Sequence, residues 1–124
     1  MKCVSLCENH LFQKAYKTGK KAPARRIILY VLADKKANLL KKRHPLKIKV
    51  NRVGITVSKK IGGAVQRNRA KRIIREAYRA LVKNYTVKQG FLVVIVARET
   101  IAGASSRQIY DELVYSARKA GFIQ

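Results

Sequence analysis

The sequence predicts a small α+β sandwich, with helices packed on a single central sheet. Three stretches carry that prediction. Phe91 to Ala97, bounded by Gly90 and Arg98, is a continuous apolar run too short for a typical helix, and it reads as a central buried strand. Arg26 to Ala33 is apolar and β-branched on both faces, so it reads as a strand covered on both sides. Ala64 to Lys83 carries a helical period. Arg67, Lys71, Arg75, Asn68, Arg79 and Arg72 fall on one side of it, and Ile73, Ala77, Ala70, Leu81, Ile74 and Tyr78 on the other. With 124 residues, the chain is expected to form one domain over 1–124. That length buries roughly two-thirds of the unfolded surface.

The remaining elements follow in order. Glu8 to Lys17 reads as a short helix with Leu11, Phe12, Ala15 and Tyr16 in one apolar stripe, and Gly19 is placed to end it. Residues 34–51 are polar and Lys-rich, with His44-Pro45 among them, and read as an extended basic loop or hairpin. Ile48 and Val50 alternate in one phase and Val53, Ile55 and Val57 in the other. This slip predicts a bulge at Asn51-Arg52 or a strand that starts at Arg52. The strand runs on to Lys59, and Gly62 and Gly63 lead into the basic helix. Ser105 with Gln108 forms a capping box. Ile109, Leu113, Ala117 and Ala120 follow at helical spacing, and Gly121 closes that helix. If the strands flanking the basic helix are parallel, base rates favour a right-handed crossover.

Charge is the strongest statement the composition makes. The chain holds 29 Lys and Arg against 6 Asp and Glu, a formal charge of +23. A balance that extreme points to phosphate. From Lys35 to Arg75 there are fifteen Lys or Arg and no acid. The helical row is costly, because Arg67/Lys71, Lys71/Arg75, Arg75/Arg79 and Arg79/Lys83 are like-charge pairs four apart. Each costs about 0.2–0.5 kcal/mol in an isolated helix. Glu76, placed to pair with Arg72 and Arg79, relieves only part of it. A solvated face normally mixes both signs, so a polyanion partner is the better reading. No apolar run approaches the length of a membrane span, and Glu8, Asn9 and His10 interrupt any signal-peptide core. The expectation is a cytoplasmic protein whose Cys3 and Cys7 are reduced thiols.

No catalytic constellation stands out. Glu8, Asp34, Glu76, Glu99, Asp111 and Glu112 are scattered, without the clustered carboxylates a two-metal nuclease uses. His10 precedes an apolar stripe, and His44 lies in a loop. Cys3, Cys7, His10 and His44 are the possible zinc ligands, and no metal site is expected from them. A phosphate-cradling glycine loop ending in Gly-Lys-Ser/Thr is absent. The residues describe a binder of RNA or DNA.

The stretch Ser58-Lys59-Lys60-Ile61-Gly62-Gly63-Ala64-Val65-Gln66-Arg67-Asn68-Arg69-Ala70-Lys71-Arg72-Ile73-Ile74-Arg75-Glu76-Ala77-Tyr78-Arg79 closely resembles the central motif of the bacterial ribonuclease P protein family. The likeness extends through Leu11-Phe12-Gln13-Lys14-Ala15-Tyr16-Lys17-Thr18-Gly19, Ile27-Ile28-Leu29-Tyr30 and Phe91 to Arg98. It implies the order αβββαβα with a left-handed crossover, which overrides the base rate. It also implies a ribonucleoprotein that removes the 5′ leader of precursor tRNA. There the RNA subunit is the catalyst with Mg²⁺, the protein binds one RNA and the leader, and no membrane is involved.

Carried over by position, the resemblance assigns Lys59, Lys60, Arg67, Asn68, Arg69, Lys71, Arg72 and Arg75 to the RNA subunit. Arginine forks suit phosphate oxygens, and an asparagine can read a 2′-hydroxyl. It assigns Phe12, Tyr16 and Tyr30, with Lys14 and Lys17 nearby, to the leader. Aromatic rings stack on bases of any sequence. The competing reading of Phe12 and Tyr16 is ordinary core packing of the first helix. The competing function is a structural RNA binder such as a small ribosomal protein. Lys41-Lys42-Arg43 lies in a segment longer than the family's usual connection, and either adds phosphate contacts or is a solvated loop.

Overall fold

A computed structural model describes residues 3–5, 9–33, 51–87 and 91–123, with the main chain alone for 3–5, 9–11, 33, 51 and 52. In chain order the elements are β1 (Cys3–Ser5), α1 (Asn9–Thr18), β2 (Lys20–Pro23), β3 (Ile27–Ala33), β4 (Asn51–Thr56), α2 (Ala64–Asn84), β5 (Phe91–Ala97) and α3 (Ser106–Lys119). Single 3-10 turns at Lys59–Ile61 and Glu99–Ile101 follow the two strands β4 and β5. From α1 onward the order is the expected αβββαβα. The three-residue β1 is an addition, and residues 34–50 of the basic segment lie outside the description.

The strands form one mixed sheet in the order β1-β4-β5-β3-β2. Strands β4 and β5 are parallel neighbours joined through α2, as the strand–helix–strand reading requires. Strand β3 pairs antiparallel with both β5 and β2. The most apolar run, β5, therefore sits at the centre, where a strand has no exposed face to give polar residues to.

Alternation along the strands divides the sheet into two unlike faces. Ile27, Leu29, Val31, Val93, Ile95 and Ala97 point to one side and are buried beneath α2 and α3. From the helices, the residues expected on the apolar side of α2, namely Ala70, Ile73, Ile74, Ala77, Tyr78 and Leu81, are all buried. Each large side chain so removed from water contributes about 1.5–3 kcal/mol. The opposite face carries Ile28, Tyr30, Leu32, Leu92, Val94 and Val96, with α1 lying across it. Helix α1 is too short to cover it. Ile28, Tyr30, Leu32 and Val96 stay half-buried, so the expectation that β3 is covered on both sides holds for one face only.

Helix ends follow their local chemistry. Ser105 accepts from the Gln108 N–H and the Gln108 side chain accepts from the Ser105 N–H, which completes the expected capping box. At the other end of α3, Gly121 (φ 74°) donates to Arg118 O, and Phe122 N–H to Ala117 O. This double bond pattern needs a left-handed residue and tucks Phe122 into the core. Gly19 ends α1 for a different reason from that expected. Its φ is not positive, but a Cβ there would lie 2.4 Å from the Ala15 carbonyl oxygen.

A polar latch closes the far edge of the sheet. The Glu112 carboxylate accepts from the Arg26 main-chain N–H and from Arg26 Nη1 at 2.7 Å. Arg98 Nη1 donates to Ala24 O at 3.0 Å, and Thr100 Oγ1 to Arg25 O at 2.6 Å. The β2–β3 turn is thus tied to the end of β5, to the 3-10 turn that follows it and to the middle of α3.

Candidate nucleic-acid interface

Two surfaces meet at the ends of β4 and β5. The first is α2 with the 3-10 turn before it. Gly62 (φ 143°) allows the turn out of Lys59–Ile61, and Gly63 is an N-cap with no side chain to offer. No acid occupies the first turn, so the outward main-chain N–H groups there present only positive potential.

The eight residues assigned to the RNA subunit are not equivalent. Lys59, Lys60, Asn68, Arg69, Arg72 and Arg75 are exposed, whereas Arg67 and Lys71 are half-buried. Successive residues turn by about 100°, so Arg67, Asn68 and Arg69 cannot share a face. Asn68 stands on the crest with Arg72 and Arg75. Arg67 leans to one flank, where its Nε is buried with no acceptor among the described residues. Arg69 turns to the other flank, where Nη2 donates to the Ala104 carbonyl at 2.7 Å. Glu76 corrects one expectation. Among the described residues the ion pairs are Arg26–Glu112 and Arg107–Asp111, so Glu76 pairs with neither Arg72 nor Arg79. The like-charge cost of the row is left without the expected relief, which makes a phosphate partner more favourable.

The second surface is the half-covered face of the sheet. Phe12 and Tyr16 lie 6.5 Å apart between ring centroids, and Tyr16 meets Tyr30 edge-on at 5.1 Å. Tyr16 Oη is 2.9 Å from Thr56 Oγ1, which pins the ring across the sheet to the last residue of β4. All three rings pack on Ala15, Leu92 and Val94 yet remain half-buried. Core packing and an open aromatic surface are therefore both true of Phe12 and Tyr16. Lys14 and Lys17 are exposed. Their positions fall roughly 100–160° around α1 from Phe12 and Tyr16, on its outer side, so the structure does not bring them to the rings.

Three residues join these surfaces that sequence reasoning did not single out. Lys21 is the cross-strand partner of Tyr30 and shares its face of the sheet. It is exposed and supplies the cation beside the rings. Only the β2–β3 register reveals it, because Lys20–Pro23 has no strand pattern. Thr56 links the ring cluster to the Lys59 turn three residues on. Val65, the second residue of α2, is 79% exposed, an apolar contact point inside a cationic surface.

Among the described residues no group of three His, Cys, Asp or Glu side chains could hold a metal. Cys7 and His44, and the side chains of Cys3 and His10, lie outside the description. No described helix is long and apolar enough to cross a membrane.

The comparisons with known proteins fit this geometry. The family profile described as Ribonuclease P matches residues 1–121. The chain is 36% identical to the ribonuclease P protein component of Alkaliphilus oremlandii over 124 residues, covering 99% of this chain and 96% of that one. It is 37% identical to that of Clostridium acetobutylicum, covering 94% and 87%. Its fold matches the Staphylococcus aureus RNase P protein with a TM-score of 0.76 at 28% identity, over 99% of this chain and all of the other. The Thermotoga maritima RNase P protein matches in fold with a TM-score of 0.64 at 21% identity, covering 84% and 86%. A small ribosomal protein, the competing reading, is thereby set aside: the chain belongs to the ribonuclease P protein family, as the protein component of an endoribonuclease ribonucleoprotein.

Proposed function

We propose that the chain holds the catalytic RNA with α2 and its preceding turn, and the 5′ leader of precursor tRNA with the half-covered face of the sheet. The observation that carries this is the junction of two unlike surfaces at the end of β4. An uncompensated cationic helix suits a folded RNA, and a row of half-buried rings suits unpaired bases. Lys59, Lys60, Lys71, Arg72 and Arg75, with the outer nitrogens of Arg67, meet phosphates, and Asn68 meets a phosphate or 2′-hydroxyl. If six such cations displace counterions, affinity falls roughly as the fourth to fifth power of salt concentration.

Phe12, Tyr16 and Tyr30 stack on leader bases, each worth about 1–3 kcal/mol, without reading their identity. Lys21 meets the leader backbone beside Tyr30, and Lys14 and Lys17 contribute a general field from the outer side of α1. The protein thereby distinguishes precursor from mature tRNA, which lacks the leader, and positions the junction between them for cleavage. Mg²⁺, which the family resemblance implies, would be held by the RNA subunit and substrate and would there supply water activation and charge stabilisation. One protein serves one RNA, in the cytoplasm.

The test is tRNA binding by the reconstituted holoenzyme. Phe12→Ala removes a ring from the row while the core beneath it stays filled. It is expected to shrink the preference for precursor over mature tRNA by about tenfold. An intact preference would return Phe12 to a packing role.

A further inference from the structure

The Arg-Asn-Arg segment reads as one cationic group, but its second arginine, although exposed, is engaged through one nitrogen with the main chain ahead of α3. Arg69 is the sixth residue of α2, and its Nη2 reaches the Ala104 carbonyl at 2.7 Å. Ala104 is 2% exposed. It is fixed by its own N–H bond to Ile101 O at 3.0 Å, by the turn at Gly103 (φ 78°), and by Ser105, the N-cap of α3. The start of α2 has little else to hold it. Its cap residue is Gly63, it follows Gly62 at φ 143°, and no acidic side chain supports its first turn. A charge-assisted bond from the second turn of α2 to the residue before the N-cap of α3 closes a bracket between the two helices.

We propose that Arg69 is a positioning residue. It holds the opening turns of α2 against the start of α3, so that Asn68, Arg72 and Arg75 are presented to RNA in fixed register, and it is not itself a phosphate ligand. This rests on the reading that α2 meets the RNA subunit, and the experiment separates the two claims. A phosphate ligand contributes to the salt slope of binding, because its loss leaves one fewer counterion released. A tether contributes to the affinity at every salt concentration and leaves the slope alone.

The full-length Arg69→Met and Arg72→Met variants keep the aliphatic stem and lose the guanidinium. Dissociation constants with a bacterial ribonuclease P RNA over a series of KCl concentrations are combined with amide hydrogen exchange of the free protein. Arg69→Met is expected to weaken binding about tenfold at every salt concentration with the wild-type slope. Amides of residues 67–70, the first to carry intrahelical bonds, should also exchange about tenfold faster without RNA. Arg72→Met is expected to leave exchange unchanged and reduce the slope by about 0.7–0.9. Arg69→Lys keeps a charge and a donor but not the fork, and covers the case in which the methionine variant does not fold. It should recover part of both affinity and protection together. A fall in slope for Arg69→Met with unchanged exchange would overturn the proposal, as would an unchanged dissociation constant, or full recovery of affinity by Arg69→Lys while exchange stays fast. Wild-type protein that fails to bind the RNA at low salt would remove the RNA reading instead, and the exchange arm would still decide whether Arg69 tethers the helix.

Discussion

Glu112→Ala is the perturbation whose cost the structure defines best. The carboxylate accepts two hydrogen bonds from one residue, the main-chain N–H and Nη1 of Arg26, and the side chains of Arg26 and Glu112 are 20% and 15% exposed. Removing one partner of a buried ion pair costs about 3–5 kcal/mol, because the other charge is left desolvated. Partial exposure lets water reach Arg26 and puts this pair at the lower end, about 3 kcal/mol. That is a large share of the roughly 5–15 kcal/mol expected in total. In a domain of this size it lowers the melting temperature by about 10 °C. Glu112→Gln keeps an acceptor for the Arg26 N–H while losing the charge, so about half of that loss is expected. Thermal unfolding followed by circular dichroism measures both, with urea unfolding as the check that the m-value is unchanged. A loss under 2 °C for Glu112→Ala would show that the pair behaves as a solvated surface contact, and that the β2–β3 turn is held by Arg98 and Thr100 instead.

Three further outcomes are expected. Ser116 is fully buried in α3 and its Oγ has no partner among the described residues, so Ser116→Ala should raise stability by about 1 kcal/mol; a lower melting temperature would refute this. Gly19→Ala places a methyl 2.4 Å from the Ala15 carbonyl oxygen and should cost about 1–3 kcal/mol by bending the end of α1, read as a fall in the urea midpoint. Tyr16→Phe keeps the ring but removes the 2.9 Å bond to Thr56. About 1 kcal/mol of stability should be lost, with leader affinity changed less than by Phe12→Ala.

Much of this could be read from the sequence where one physical signal dominates. The β5 run matches Phe91–Ala97 residue for residue, because a strand buried on both faces has nothing but apolar residues to show. The buried side of α2 follows from its period, and the capping box of α3 from two residues. What escaped depends on pairing. Lys20–Pro23 becomes a strand only because β3 offers an edge, so Lys21 beside Tyr30 could not be placed. The basic row of α2 has a helical period, but a period does not say where neighbouring elements lie. Only the packed structure shows that Arg69 meets Ala104, that Arg67 is half covered, and that Lys14 and Lys17 face away from the rings. Resemblance named the residues proposed for the interface, and the fold divides them between crest and flanks.

The most direct test of the central claim is reconstitution with a bacterial ribonuclease P RNA at a Mg²⁺ concentration too low for the RNA to work alone, measuring the rate of leader removal from a precursor tRNA. The protein is expected to restore cleavage at the mature 5′ end, with the stimulation falling steeply as salt rises. An RNA that remains as slow with the protein as without it would contradict the account.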